Sequence, residues 1–248
     1  MTLSRRDFLA AAGAAVPLLS VRLPVGTAPR AGARLAVITD LHHGLAPDAL
    51  ARFDAFLAAL GEHHDLDAVW QLGDFCYSDA GAEELLAIGF DGFGYGGWPL
   101  DSERKLMTEI IGYTRELVPR EFPMHALGVG HPQHVATCWD LGYGLFDSAL
   151  PTRDARHARL YVLRLPHGER RGRLGSGWFD ALYIGDAKHI KGTDPVDPAC
   201  DCLCCANYSR GYLHHLFKTN ESLYYRLSTL HNLRAMTRLT DHLRGGDE

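Results

Sequence analysis

The sequence predicts an α/β fold with a metal-binding subdomain towards its C-terminus, and two observations carry that prediction. Residues 35–72 read as a strand, an amphipathic helix and a second strand, the order that produces a βαβ unit with parallel strands. Further on, Cys200, Cys202 and Cys205 stand at C-x-C-x-x-C spacing and can turn inward in one tight loop. A fourth ligand from a following helix, His231, completes a closed tetrahedral zinc site of the structural kind. Taken as residues alone, the same cysteines are also compatible with disulfide pairing or with scattered core thiols.

A chain of 248 residues can bury a real core as one large domain or two small ones. With 25 Lys and Arg against 30 Asp and Glu, the net charge is -5. That balance excludes a global field drawing nucleic acid, so any such site must be a local basic patch. The N-terminus reads separately. Ser4-Arg5-Arg6-Asp7-Phe8-Leu9 precedes an apolar, alanine-rich run from Leu9 to Val21, then Ala31-Gly32-Ala33. This is the order of a twin-arginine export signal over residues 1–33 with a small-residue cleavage site. The apolar run is too short for a membrane span, and no later segment looks transmembrane.

In residues 34–80, Leu35 to Thr39 is a short apolar run consistent with a buried strand, and Ala68 to Leu72 is a second. Between them, Leu50, Phe53, Phe56, Leu57 and Leu60 fall at helical spacing over 47–60. Asp40 and His42 follow the first strand and Asp74 follows the second, at the strand C-termini where α/β folds place their sites. These three could hold divalent metals, with Asp74 bridging two, although an isolated aspartate there more often caps a turn. The motifs VITDLHHG and VWQLGDFC resemble the opening of the calcineurin-like metallophosphoesterases, which would imply an exported phosphoesterase fragment. The later ligand motifs of that family have no counterpart downstream, and two-metal hydrolysis needs both ions clamped.

From residue 82 the register changes. Gly96-Gly97-Trp98 is a turn where backbone can approach a ligand closely, because glycine brings no side chain. Ser102 is a candidate N-cap for a helix with Leu106, Met107, Ile110, Tyr113 and Leu117 as its apolar stripe. His125 to Gly130 reads as a strand, and Pro132 to Leu141 as a helix opened by proline and ended by Gly142. Two C-terminal helices span 207–218 and 221–243, with Tyr212, Leu216, Leu223, Leu227, Leu230 and Leu233 as core faces. By itself Asp147 reads as a salt-bridge partner as readily as a nucleophile. Arg153 and Arg156 have planar, always-charged heads suited to phosphates. Arg159, Arg164, Arg170, Arg171 and Arg173 extend a basic stretch whose plain reading is a solvated loop.

Three stretches of this half resemble the tRNA-guanine transglycosylases (queuine tRNA-ribosyltransferases): residues 85–119, the run Phe146-Asp147-Ser-Ala-Leu-Pro-Thr-Arg153-Asp-Ala-Arg156, and Asp197 to Lys218 with the later His231-Asn232 pair. The resemblance implies a partial TIM-type (β/α) barrel with a zinc-binding subdomain over 82–248, preceded here by the βαβ unit. It implies Asp147 as the nucleophile in a glycosyl transfer that exchanges the wobble guanine of tRNA for a queuine-type base. Zinc would be held by Cys200, Cys202, Cys205 and His231, with Cys204 extra to the pattern. Gly96, Gly97 and Trp98 would contact the base, Leu127 would pack against it where the family has Met, and Arg153 and Arg156 would grip tRNA. The resemblance reaches only the C-terminal part of that enzyme, so an oligomeric partner completing the barrel is a further expectation, as is a non-catalytic tRNA-binding accessory role. Its chemistry belongs in the cytoplasm, whereas the N-terminal signal implies export.

Overall fold

The computed structural model describes residues 34–38, 48–63, 66–71, 90–97, 99–166 and 174–245. The expected export signal, the candidate ligands Asp40, His42 and Asp74, Trp98, and Arg170, Arg171 and Arg173 lie outside the described residues. The chain divides into two units: one of residues 1–127 with 141–146, the other of residues 128–140 and 147–248.

The first unit is built on a parallel sheet. Its elements are β1 (Leu35–Ile38), α1 (Ala49–Gly61), β2 (Ala68–Gln71), β3 (Gly92–Tyr95), α2 (Thr108–Leu117), β4 (Met124–Ala126) and β5 (Leu145–Phe146). The strands lie in the order β1-β2-β3-β4-β5. Every neighbouring pair is parallel, with Leu35 opposite Ala68, Trp70 opposite Gly92, Phe93 opposite Met124 and His125 opposite Leu145. Parallel neighbours need a crossover between them, and helices such as α1 and α2 supply it. Because β2 bonds to β3, the strands of the first βαβ unit and the later strands share one sheet.

Aromatic packing holds the middle of this sheet. The Phe93 ring meets Phe90 edge-on at 6.2 Å and Phe122 at 5.4 Å, the T-shaped arrangement aromatic pairs favour. A Cβ at Gly92 would stand 2.9 Å from the Trp70 indole, so glycine lets that ring lie across β3. Two expectations need correction. Ser102 does not cap a helix: Asp101 accepts the N–H groups of Glu103 (2.9 Å) and Lys105 (2.8 Å), which keeps 101–105 a turn and delays α2 to Thr108. The buried face of α2 is then Ile111 and Arg115, while Ile110 and Tyr113 are exposed.

The second unit contains α3 (Pro132–Leu141), α4 (Leu150–Arg156), β6 (Arg159–Leu163), β7 (Phe179–Tyr183), a 3₁₀ turn at Ala187–His189, α5 (Leu203–Asn207), α6 (Arg210–Lys218) and α7 (Ser222–Arg244). β6 and β7 pair antiparallel, and α7 packs on α4, α5, α6 and β6. The helix expected over 207–218 starts at Arg210, because Ser209 caps α6 by accepting the Tyr212 N–H at 3.3 Å, and Asn207 instead ends the separate α5. Core faces also differ. Leu216 and Leu227 are buried as expected, but Tyr212, Leu230 and Leu233 are exposed. α7 instead buries Tyr224, Leu227, Ser228, His231, Asn232, Ala235, Leu239 and Leu243. This stripe also follows the helical repeat, and its polar members are tolerated because each finds a partner inside. Among the described residues no helix is long and apolar enough to cross a membrane.

One buried guanidinium organises the loop after α2. Arg115, 2% exposed, donates to the carbonyls of Val118 (3.1 Å), Pro119 (3.4 Å), Arg120 (3.2 Å) and Phe122 (3.4 Å). Arg115→Met removes all of these donors and strands carbonyls in a partly buried loop, so it should cost about 2–4 kcal/mol in urea unfolding. An unchanged midpoint would mean that water serves those carbonyls equally well.

Candidate metal centre and nucleophile

Cys200, Cys202, Cys205 and His231 converge: their ligand atoms all lie within 4.8 Å of one another, and all four residues are buried. Local structure explains the convergence. Cys202 has extended backbone (ψ 157°) at the N-terminus of α5, and its sulfur accepts the Cys205 N–H at 3.4 Å. One helical turn therefore folds Cys205 back beside Cys202, with Cys200 just ahead. His231 arrives from the middle of α7. Its Nε2 bonds the Tyr161 carbonyl at 2.7 Å, which fixes the tautomer and turns Nδ1 to the sulfurs, 3.3 Å from Cys205 Sγ and 3.6 Å from Cys202 Sγ. A tetrahedral ion with metal–sulfur bonds of ~2.3 Å and metal–nitrogen bonds of ~2.0 Å sets sulfur–nitrogen edges of about 3.5 Å. The donor set and its spacing fit a four-coordinate metal ion. Cys204, fully buried in the apolar core beside these ligands, is outside the group, as expected.

Protonation within the cluster is uneven. Hydrogen bonds with Cys200, then Cys204 and Cys205, hold the Cys202 sulfur well below the usual thiol range. Cys204 is pushed up by its hydrogen bond with Cys202 and then by burial. Cys205 is pushed up by its hydrogen bonds with Cys200 and Cys202. Burial opposes a charged His231, yet hydrogen bonds to Cys200 and Cys202 outweigh it and push the imidazole up to about 9. A metal ion must therefore displace protons in order to bind.

The loop and helix carrying these ligands are tied together by charge as well. Asp197, 2% exposed, receives Arg238 at 2.8 Å and the Ala199 N–H at 2.9 Å. Asp201 takes Arg234 in a two-point grip, 2.6 and 2.8 Å. Next to the ligand, Asn232 is fully buried. Its Oδ1 accepts the Tyr161 N–H at 3.0 Å, and its Nδ2 donates to Pro151 O at 2.9 Å and Arg159 O at 3.0 Å. The sequence reading missed this clamp. Its signal was an asparagine inside a long apolar-periodic helix, a residue type that seeks partners when buried.

Pro151 is the second residue of α4, four residues after Asp147. Asp147 is exposed and its Oδ1 accepts the Gly128 N–H at 3.1 Å. Gly128 adopts φ +71°, a backbone state natural to glycine, and that turn aims the N–H at the carboxylate. Two residues on, a Cβ at Gly130 would collide with Ser148 Cβ and lie 2.6 Å from its Oγ. Neither glycine was singled out from sequence. Arg153 and Arg156 are exposed in the last turn of α4, and Arg164 is engaged with Asp180 at 3.5 Å. In the first unit, Gly96 and Gly97 follow β3, and the Leu127 N–H after β4 reaches Tyr95 O at 3.2 Å, so the carboxyl ends of β3 and β4 lie side by side. A Cβ at Gly97 would stand 2.9 Å from the Tyr95 hydroxyl, so this glycine's close neighbour is Tyr95.

Two outcomes follow from this geometry. Zn²⁺ titration of the metal-free protein should release protons, and apparent affinity should fall about tenfold per pH unit for each proton displaced as pH drops below the His231 value of about 9. Affinity independent of pH would contradict the proton-loaded cluster. Gly130→Ala should cost about 1–3 kcal/mol in thermal unfolding by forcing Ser148 aside. An unshifted transition would show that the close approach is not required.

The queuine tRNA-ribosyltransferase family matches residues 77–246, beginning a few residues before the expected boundary at 82, a span that contains Asp147 and the Cys200, Cys202, Cys205 and His231 group. The queuine tRNA-ribosyltransferase of Aliivibrio salmonicida is 37% identical over 166 residues, 67% of this chain and 40% of that protein. That of Pseudoalteromonas translucida is 38% identical over 167 residues, with the same shares. That of Mannheimia succiniciproducens is 35% identical over 194 residues, 78% of this chain and 46% of that protein. The chain thus spans less than half the length of these curated relatives. None of these matches speaks for a phosphoesterase over 34–80 or for an export signal. With the family match running through both the Asp147 segment and the cysteine loop, the chain belongs to the queuine tRNA-ribosyltransferase family.

Proposed function

We propose that this chain carries the nucleophile and zinc-bearing part of a tRNA-guanine transglycosylase, which exchanges the wobble guanine of tRNA for a queuine-type base. The observation that supports this most is the family match running unbroken from residue 77 through Asp147 to His231. In this reading the parallel sheet of the first unit is a segment of a (β/α) barrel, and a second copy or another subunit supplies the remainder.

The Asp147 carboxylate attacks the ribose anomeric carbon of the target guanosine, the glycosidic bond breaks, and guanine departs. The resulting ester is resolved by the incoming base, whose ring nitrogen takes the anomeric carbon and frees the carboxylate. A carboxylate suits this centre because the carbon passes through an oxocarbenium-like state. The Gly128 N–H holds one carboxylate oxygen and so orients Asp147 before attack. Gly96, Gly97 and Trp98 would border the base, Leu127 would pack against it, and Arg153 and Arg156 would grip tRNA phosphates. Zinc at Cys200, Cys202, Cys205 and His231 would act structurally, fixing the cysteine loop to α7. From there Asn232 holds Pro151, and hence the start of α4, in place behind the nucleophile.

Incorporation of labelled guanine into tRNA by the zinc-loaded chain tests the reading, with Asp147→Ala beside it. Exchange that drops by about 10³-fold or more in the variant is expected for loss of a covalent nucleophile. Exchange unaffected by the substitution would remove Asp147 from that role. No exchange by the zinc-loaded wild type would overturn a chain that is active alone.

A further inference from the structure

We propose that an arginine-lined cleft at the C-terminal end of β6 binds a phosphodiester of an RNA strand, away from the reacting nucleoside. The inference rests on the tRNA reading above and deepens it, by assigning a backbone-binding site that lies wholly within the second unit. The cleft has a volume of about 640 Å³ and is lined by Arg164, Arg210, Arg238 and Asp197, with Leu163 and Pro198 among its apolar walls. Three guanidiniums therefore face one carboxylate, in a chain whose net charge is -5. A local concentration of positive charge is what such a chain needs to hold a polyanion.

The single carboxylate is already engaged. Asp197 accepts Arg238 at 2.8 Å, the Ala199 N–H at 2.9 Å and the Leu163 N–H at 3.4 Å. Arg210 has no carboxylate partner among the described residues. Its Nε and Nη2 are fixed on the carbonyls of Pro195 (2.8 Å) and Val196 (2.9 Å), which leaves Nη1 for a ligand. Neutral carbonyls orient this guanidinium without cancelling its charge, so little is lost in ordering it on binding. Arg164 meets Asp180 only at 3.5 Å, with side chains 59% and 63% exposed. A solvent pair of that kind contributes little and yields to a phosphate, whose oxygens match the planar guanidinium fork.

β6 sets the position of the cleft. Its first residue, Arg159, is held through its carbonyl by Asn232, which also holds Pro151 near the start of α4. Its last residue, Leu163, borders the cleft. Strands rise ~3.3 Å per residue, so the two ends of β6 stand about 13 Å apart. A phosphate bound at the far end is remote from the anomeric carbon, and its contacts contribute to holding the strand.

Affinity of the zinc-loaded full chain for a fluorescein-labelled RNA stem-loop is measured by anisotropy across a potassium chloride series. Arg164→Glu is compared with Arg226→Glu, which reverses an exposed arginine of α7 outside the cleft and so matches the change in net charge. Arg164→Glu should weaken binding about tenfold and lower the slope of log affinity against log salt by about one. The control should lose about twofold at most. Arg210→Gln should weaken binding similarly; circular dichroism and zinc content report its fold, and Arg164→Glu decides the matter if that variant unfolds. Equal losses in Arg164→Glu and Arg226→Glu, no loss in Arg164→Glu, or no RNA binding by the wild type overturn the proposal. Titration with inorganic phosphate at constant ionic strength separates the two phosphate sources: phosphate binding abolished by Arg164→Glu with RNA affinity unchanged would mark a small-anion site and overturn the RNA assignment. Binding is read without base exchange, so a chain that holds RNA through this cleft yet exchanges no guanine would count against the proposed function and leave the cleft standing.

Discussion

His231 and Asn232, consecutive residues in the middle of α7, place six polar contacts inside a helix face that is otherwise largely apolar. The imidazole spends Nε2 on Tyr161 O and offers Nδ1 to the cysteine sulfurs. The amide saturates itself on the Tyr161 N–H, Pro151 O and Arg159 O. A buried imidazole or amide without partners would cost several kcal/mol, so α7 has one rotation and one depth at which it can dock. Cysteine loop, β6 and α4 are all located by that single choice.

The arrangement links the cysteine–histidine group to the segment that carries Asp147. Cys200, Cys202, Cys205 and His231 bring the cysteine loop against α7. Through Asn232 the same helix holds the first turn of α4, and α4 begins just after Asp147. Asp147 is then positioned locally by glycine: Gly128 turns its N–H onto the carboxylate, and Gly130 lets the backbone lie against Ser148. Positioning is shared between a rigid element and two residues without side chains, the combination expected where a reacting group must be held to a fraction of an ångström.

Charged pairs reinforce the site unequally. Arg238–Asp197 is nearly desolvated, with side chains 14% and 3% exposed, and Asp197 is further satisfied by backbone N–H groups. Its value is geometric, since removing either partner would leave a buried charge. Arg234–Asp201 lies in solvent, where such pairs contribute little.

Much was legible from residues alone. Spacing found the C-x-C-x-x-C cysteines, and the family resemblance set Cys204 aside and pointed to the histidine of the His231-Asn232 pair; apolar runs found β1, β2 and α1; proline and glycine punctuation gave α3 its bounds, Pro132–Leu141. These succeed because they depend on short-range geometry. What failed depended on partners remote in sequence. The buried face of α7 could not be chosen from its leucines, because Leu230 and Leu233 lose to His231 and Asn232 once a carbonyl 70 residues away and a cysteine loop are available to satisfy them. Ser102 resembled a cap until Asp101 competed for the same N–H groups. The sequence by itself determined which residues can bind metal and which segments are helix or strand. Only the tertiary structure decided which polar groups go inside, since burial of a polar atom depends on who is waiting for it there.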